Sequence, residues 1–177
     1  MPGHILTGTP GAGKTSVLRL LETEGHPVVE EAATDVIGLH HALGAEDPWR
    51  VPSFIDDIVR LQRLRRAAAP ADALHDRSPV CTLALSRYLG FPPSALLTEE
   101  VDRVLAAGLY SPTAFLVRNQ GFIHNTAARR ISFADSLEFE RLHEQTYRDL
   151  GFHLVEVPAG ALRERAAVIR RTVGPRR

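Results

Sequence analysis

The chain holds a single lysine, Lys14; every other basic side chain among its 21 Lys and Arg positions is arginine. That lysine lies in Gly8-Thr9-Pro10-Gly11-Ala12-Gly13-Lys14-Thr15, which fits Gly-x-x-x-x-Gly-Lys-[Ser/Thr] in full. One compact, mobile ammonium is kept where a phosphate-binding loop needs it; an arginine would be longer, planar and less suited. Gly8, Gly11 and Gly13 permit backbone conformations that a side chain obstructs. Successive N–H groups then turn inward and form an anion-binding hollow. A helix over 14–23 aims the positive end of its dipole at the same point. Lys14 is expected to reach the β- and γ-phosphates of a nucleoside triphosphate, and Thr15 to offer its hydroxyl to Mg²⁺. Thr9, Pro10, Ala12 and Ser16 complete the expected nucleotide-contacting loop.

The elements around this loop alternate. Strands are predicted over 4–7, 28–30, 71–75, 113–117 and 153–157. Helices are predicted over 32–43, 54–69, 79–88, 98–107, 133–150 and 161–173, from apolar residues at helical spacing. Thr98 is the expected N-cap of the fifth helix, ahead of Glu99-Glu100. Asp47-Pro48-Trp49 is a break, and 119–132 is polar and irregular. The pattern predicts one α/β domain over 1–177: a parallel sheet of about five strands, helices on both faces and right-handed crossovers. A short Arg-bearing lid is expected near 119–135.

Ligands bind such sheets at the carboxyl ends of the strands. That rule collects Gly8, Glu30, Glu31, Asp76, Arg77 and Arg118 on one rim. Asp76 can serve Mg²⁺ or accept a proton, and Arg77 can hold a transferred phosphoryl group with its fork of donors. Glu30 or Glu31 can act as general base toward an acceptor hydroxyl, with Glu31 preferred. Either is equally suited to capping the next helix. Arg129 and Arg130 can close over the phosphates, neutralise charge and exclude water. Arg118 is a weaker version of the same idea.

Composition narrows the rest. Formal charge is zero and the pI is about 7.1, so nothing points to nucleic acid. The one cysteine, Cys81, excludes an internal disulfide and reads as a small core residue. The eight histidines show no metal-ligand spacing. No apolar run approaches the roughly 18–20 residues needed to span a bilayer. A soluble, cytoplasmic protein without a leader peptide is the expectation. Trp49 is expected to pack. Arg163, Arg165, Arg170 and Arg171 are expected to form the wet face of the last helix.

The phosphate loop, Val28-Val29-Glu30-Glu31-Ala32-Ala33, Asp76-Arg77-Ser78-Pro79, Arg130 ahead of Phe133, and Leu154-Val155-Glu156-Val157-Pro158 together resemble a family of small bacterial AAA-type predicted ATPases. That family is similar to ribosylnicotinamide kinase domains and to nucleoside and nucleotide kinases. The likeness runs over essentially the whole chain. It implies a P-loop kinase fold with a short lid at Arg129-Arg130. It also implies Lys14 and Thr15 on phosphate and Mg²⁺, Glu31 as the acid after strand two, and Asp76-Arg77 as the Asp-Arg pair. Where the family often has an arginine three residues after the glutamate, this chain has Thr34.

Two functions are expected to compete. One is an ATP-dependent phosphotransferase acting on a small hydroxyl compound, nucleoside-like or otherwise. The other is a nucleotide-dependent switch with slow hydrolysis that gates a protein partner. ATP is favoured over GTP because no Asn-Lys-x-Asp motif exists; the only lysine is committed.

Overall fold

The computed structural model describes residues 1–120 and 132–174. Five strands make one parallel sheet: β1 (Gly3–Thr7), β2 (Val28–Val29), β3 (Leu74–Asp76), β4 (Tyr110–Val117) and β5 (His153–Val157). Their order is β2-β3-β1-β4-β5. The glycine-loop strand and the strand ending in Asp76 are therefore direct neighbours, with Leu6 opposite Asp76.

The described helices are α1 (Lys14–Thr23), α2 (Ala32–Ala42), α3 (Ser53–Ala68), α4 (Pro79–Tyr88), α5 (Ala95–Ala106), α6 (Phe133–Asp149) and α7 (Leu162–Val173). Alternate strand residues point to opposite faces. Leu6, Leu74, Phe115 and Val157 form one core with α1 and α7, through Val17, Leu18, Leu21 and Ile169. Ile5 and Ala114 face the other way, into a core with Val80, Val104 and Tyr147 from α4, α5 and α6. A third cluster joins α2, α3, α4 and α5 through Val36, Phe54, Ile58, Leu83 and Leu97. This helical shoulder stands beside the strand ends that carry the rim residues.

Most predicted elements hold, and the departures have local causes. β3 begins later than expected and ends on Asp76 itself. The segment before it is a turn, closed by the Ala73 N–H donating to Pro70 O at 3.2 Å. β4 begins at Tyr110, before Pro112. Proline cannot donate to a ladder, and the pairing with β1 shifts register between Gly3 and Ile5 to accommodate it. The cap of α5 is Ser94, not Thr98. Ser94 Oγ accepts from the Leu97 N–H at 3.1 Å and donates to Asp56 Oδ1 at 2.6 Å. Thr98 lies inside the first turn and donates its hydroxyl back to Ser94 O at 2.9 Å.

Ser94→Ala is expected to cost about 1 kcal/mol of stability in urea unfolding, the usual value of an N-cap, and Thr98→Ala well under half of that.

Candidate functional site

The loop after β1 is shaped by contacts that leave no room for side chains at two glycines. Gly8 has φ 128°, and a Cβ there would sit 2.3 Å from Val117 O. Gly13 has φ 79° and forms the N-cap of α1, where a Cβ would meet Arg165 Nη1 at 2.7 Å. No side chain caps α1 and its first turn carries no acid. Its free N–H groups and dipole are thus left for an anion. Lys14 is buried, and its Nζ donates to Gly8 O at 3.2 Å and Thr9 O at 2.8 Å. The loop's own carbonyls hold the ammonium inside the hollow. Burial lowers the Lys14 pKa to about 8; Arg77 adds to the shift, and Asp76 and Glu31 oppose it.

The Thr15 hydroxyl donates to Asp76 Oδ2 at 3.0 Å, joining the first turn of α1 to the end of β3. Asp76 is buried, and its second oxygen, Oδ1, has no partner among the described residues. Burial raises the Asp76 pKa, against the pull of Lys14, Arg77 and the Thr15 bond. An orphaned carboxylate oxygen beside a threonine hydroxyl fits a hydrated divalent cation. Among the described residues there is no cluster of three or more His, Cys, Asp or Glu able to hold a metal alone. A Mg²⁺ bound here would take its remaining ligands from phosphate and water, its usual habit.

Arg77 is the only non-glycine residue with positive φ, 75°, among those described. That conformation costs of order 1–3 kcal/mol and persists where the surroundings enforce it. Three contacts enforce it. Its N–H donates to Leu6 O at 3.0 Å, its Nε to Glu31 Oε1, and its Nη1 to His143 Nε2 at 3.2 Å. His143 Nδ1 in turn donates to Phe139 O at 2.9 Å. Burial, then Arg77, pushes the His143 pKa down to about 3, so the ring stays neutral and can accept. Glu31 also accepts from Thr34 Oγ1 at 3.0 Å. Thr34 thus orients the carboxylate. Glu30 points elsewhere and pairs with Arg19 at the surface. The geometry separates the two acids and puts Glu31 with Arg77.

A cleft of about 190 Å³ opens from this pair. Pro10 of the loop, Glu31 and Arg77 form one end, and Trp49, Phe54, Tyr88 and Phe139 line the rest. Trp49 therefore packs as a wall of this cleft. Cys81 is buried as expected, yet it also lines the cleft and joins a polar chain beneath the loop. Its Sγ lies 3.3 Å from Thr7 Oγ1 and 3.1 Å from Tyr147 Oη, which lies 2.7 Å from Ser78 Oγ.

The structure brings residues 8–16, Glu31, Asp76 and Arg77 to one rim. Arg118 stands at the same sheet end but is occupied. It binds Glu140, Glu144 and Glu156, tying β4 to α6 and β5, which corrects its reading as a phosphate clamp. Arg129 and Arg130 lie outside the described residues. Arg165 is a second correction: it is buried, not on a wet face, and its Nη2 donates to Ala12 O at 2.5 Å. His143, Tyr147 and Arg165 were the functional neighbours that sequence reasoning missed. The signal for the first two was their spacing with Phe139 on α6, which sets polar side chains on a buried helix face.

A parallel sheet with β1 beside β3, a glycine loop feeding α1 and a Thr-Asp pair across them define a P-loop nucleotide-binding fold. The chain belongs to the AAA domain family, which matches residues 4–165. No match was found among curated proteins. No helix among the described residues is long and apolar enough to cross a membrane.

Two outcomes follow. In the free protein Lys14 loses its charge above about pH 8, whereas bound phosphate favours the ammonium. Triphosphate affinity should be full below that pH and fall above it. Calorimetry in buffers of different ionisation heat should show proton uptake near pH 9, fading by about pH 7. Arg165→Met, which keeps the stem and removes the bond to the loop, should weaken nucleotide binding roughly tenfold, the scale of one charged hydrogen bond.

Proposed function

We propose that the protein is an ATP-dependent phosphotransferase that acts on a small hydroxyl-bearing acceptor. The observation that carries the reading is the cleft: one continuous, half-open space is lined by Pro10 of the phosphate loop and by Glu31 and Arg77. A second substrate there would lie against the terminal phosphate. A slow switch has no use for an apolar cleft at that position.

Residues 8–16 would hold the phosphates, with Lys14 released from Gly8 O and Thr9 O to meet them. Thr15 and Asp76 would hold Mg²⁺, which would neutralise charge on the β- and γ-phosphates. Glu31 would take the acceptor's proton. The acceptor oxygen bonds to the γ-phosphorus as the bond to the bridging oxygen breaks, ADP leaves, and the proton passes through Glu31 to water. Arg77, fixed by Glu31 and His143, would face the charge in flight. Arg129 and Arg130, on a lid near 119–135, would complete the enclosure. The reading treats 1–177 as one domain.

Lys14→Ala should abolish nucleotide turnover while the protein remains folded; full activity would refute the assignment. Asp76→Asn and Glu31→Gln should each lower transfer by at least ~10²-fold, the scale of a positioned acid–base or metal-orienting group. Labelled γ-phosphate decides the reaction class. Stoichiometric phosphorylated product supports transfer, and free phosphate alone supports the switch.

A further inference from the structure

The walls of the cleft carry chemistry of their own. Aromatic rings stand on both sides. Trp49 and Phe54 come from the α2–α3 shoulder, and Tyr88 and Phe139, 4.6 Å apart between centroids, come from α4 and α6. Among the described lining residues, ionic side chains occur only at the loop end, as Glu31 and Arg77. Arg77 is already engaged by Glu31 and His143. The lining also holds an uncharged polar pair: Thr82 Oγ1 donates to Gln62 Oε1 at 3.0 Å. The Gln62 amide nitrogen has no partner among the described residues, and Gln62 lines the cleft.

We infer that the acceptor is an uncharged, ring-bearing alcohol whose ring lies between the aromatic walls and whose polar edge meets Gln62. A phosphate monoester or carboxylate on its body would lie against apolar walls, where no unengaged cation stands among the described lining residues. Such a placement is strongly unfavourable. Flat rings are matched by aromatic faces, which gain from stacking beyond the area they cover. The Gln62 amide supplies selectivity, because a ligand that leaves it unpaired forfeits a buried hydrogen bond. The cavity is smaller than the roughly 300–1,000 Å³ of sites for drug-sized ligands, so the acceptor is a small one.

This inference rests on the phosphotransferase reading, and its test is separable from that reading. Trp49 is the only tryptophan in the chain, so its emission reports occupancy of the cleft without any turnover. Adenosine, uridine and benzyl alcohol are titrated against the full chain, each beside its phosphate monoester. Titrations are run with and without a non-hydrolysable ATP analogue and Mg²⁺. Binding of the analogue is measured separately by calorimetry. The neutral members should bind at least about tenfold more tightly than their esters. Gln62→Leu should weaken adenosine and uridine about tenfold and leave benzyl alcohol within about twofold. Esters that bind as tightly as the alcohols, or a Gln62→Leu variant that changes all three alike, would overturn the inference. Silence of Trp49 toward every probe would also overturn it, even while the analogue binds. Failure of the analogue itself would strike the phosphotransferase reading instead.

Discussion

Two positive and two negative side chains share one largely water-excluded space at the end of the sheet: Lys14, Arg77, Asp76 and Glu31. Charges out of water are tolerated only when paired and hydrogen-bonded. Each of the four meets that condition through a different element. Lys14 uses the loop's carbonyls, Asp76 uses Thr15, and Arg77 spans Glu31 and His143. The cluster thereby fixes how α1, α2, α4 and α6 meet the sheet. It also leaves one oxygen, Asp76 Oδ1, without a partner among the described residues. A triphosphate entering here replaces interactions that already exist, so most of the electrostatic arrangement is made before the ligand arrives.

Sheet order is what permits this arrangement. With β3 directly beside β1, the acid at the end of β3 lies one strand from the loop, close enough for Thr15 to touch it. The left-handed turn at Arg77 then swings the next side chain away from the sheet edge and toward Glu31 and α6. Asp76 and Arg77 are adjacent in sequence yet serve opposite sides of the loop: Asp76 lies on the α1 side and Arg77 on the cleft lined by Trp49 and Phe139.

The glycine loop, the alternation of strands and helices, and the rim residues Glu31, Asp76 and Arg77 were legible because their signals are local. A motif of eight positions, an apolar period or a residue at a strand end needs no knowledge of distant neighbours. That Glu31 meets Arg77 while Glu30 turns to Arg19 at the surface was not legible, since both acids stand at the same strand end. His143 and Arg165 were not legible. Their roles arise from α6 and α7 packing against an element far away in sequence, and no spacing rule encodes that. Arg118 misled for the same reason. At a strand end it looks free, and only the packing of α6 and β5 supplies the three carboxylates that occupy it. The caps and strand starts that moved, Ser94 and Tyr110, were decided by Asp56 and by the pairing around Pro112.

Arg165 lies 153 positions after Ala12, the residue whose carbonyl it holds. During synthesis the glycine loop leaves the ribosome well before α7, which carries the guanidinium that braces it. Contacts of such long sequence separation form late, because the chain between them must first be ordered. A nascent chain released before α7 would therefore carry the whole signature octet without the bond that braces it.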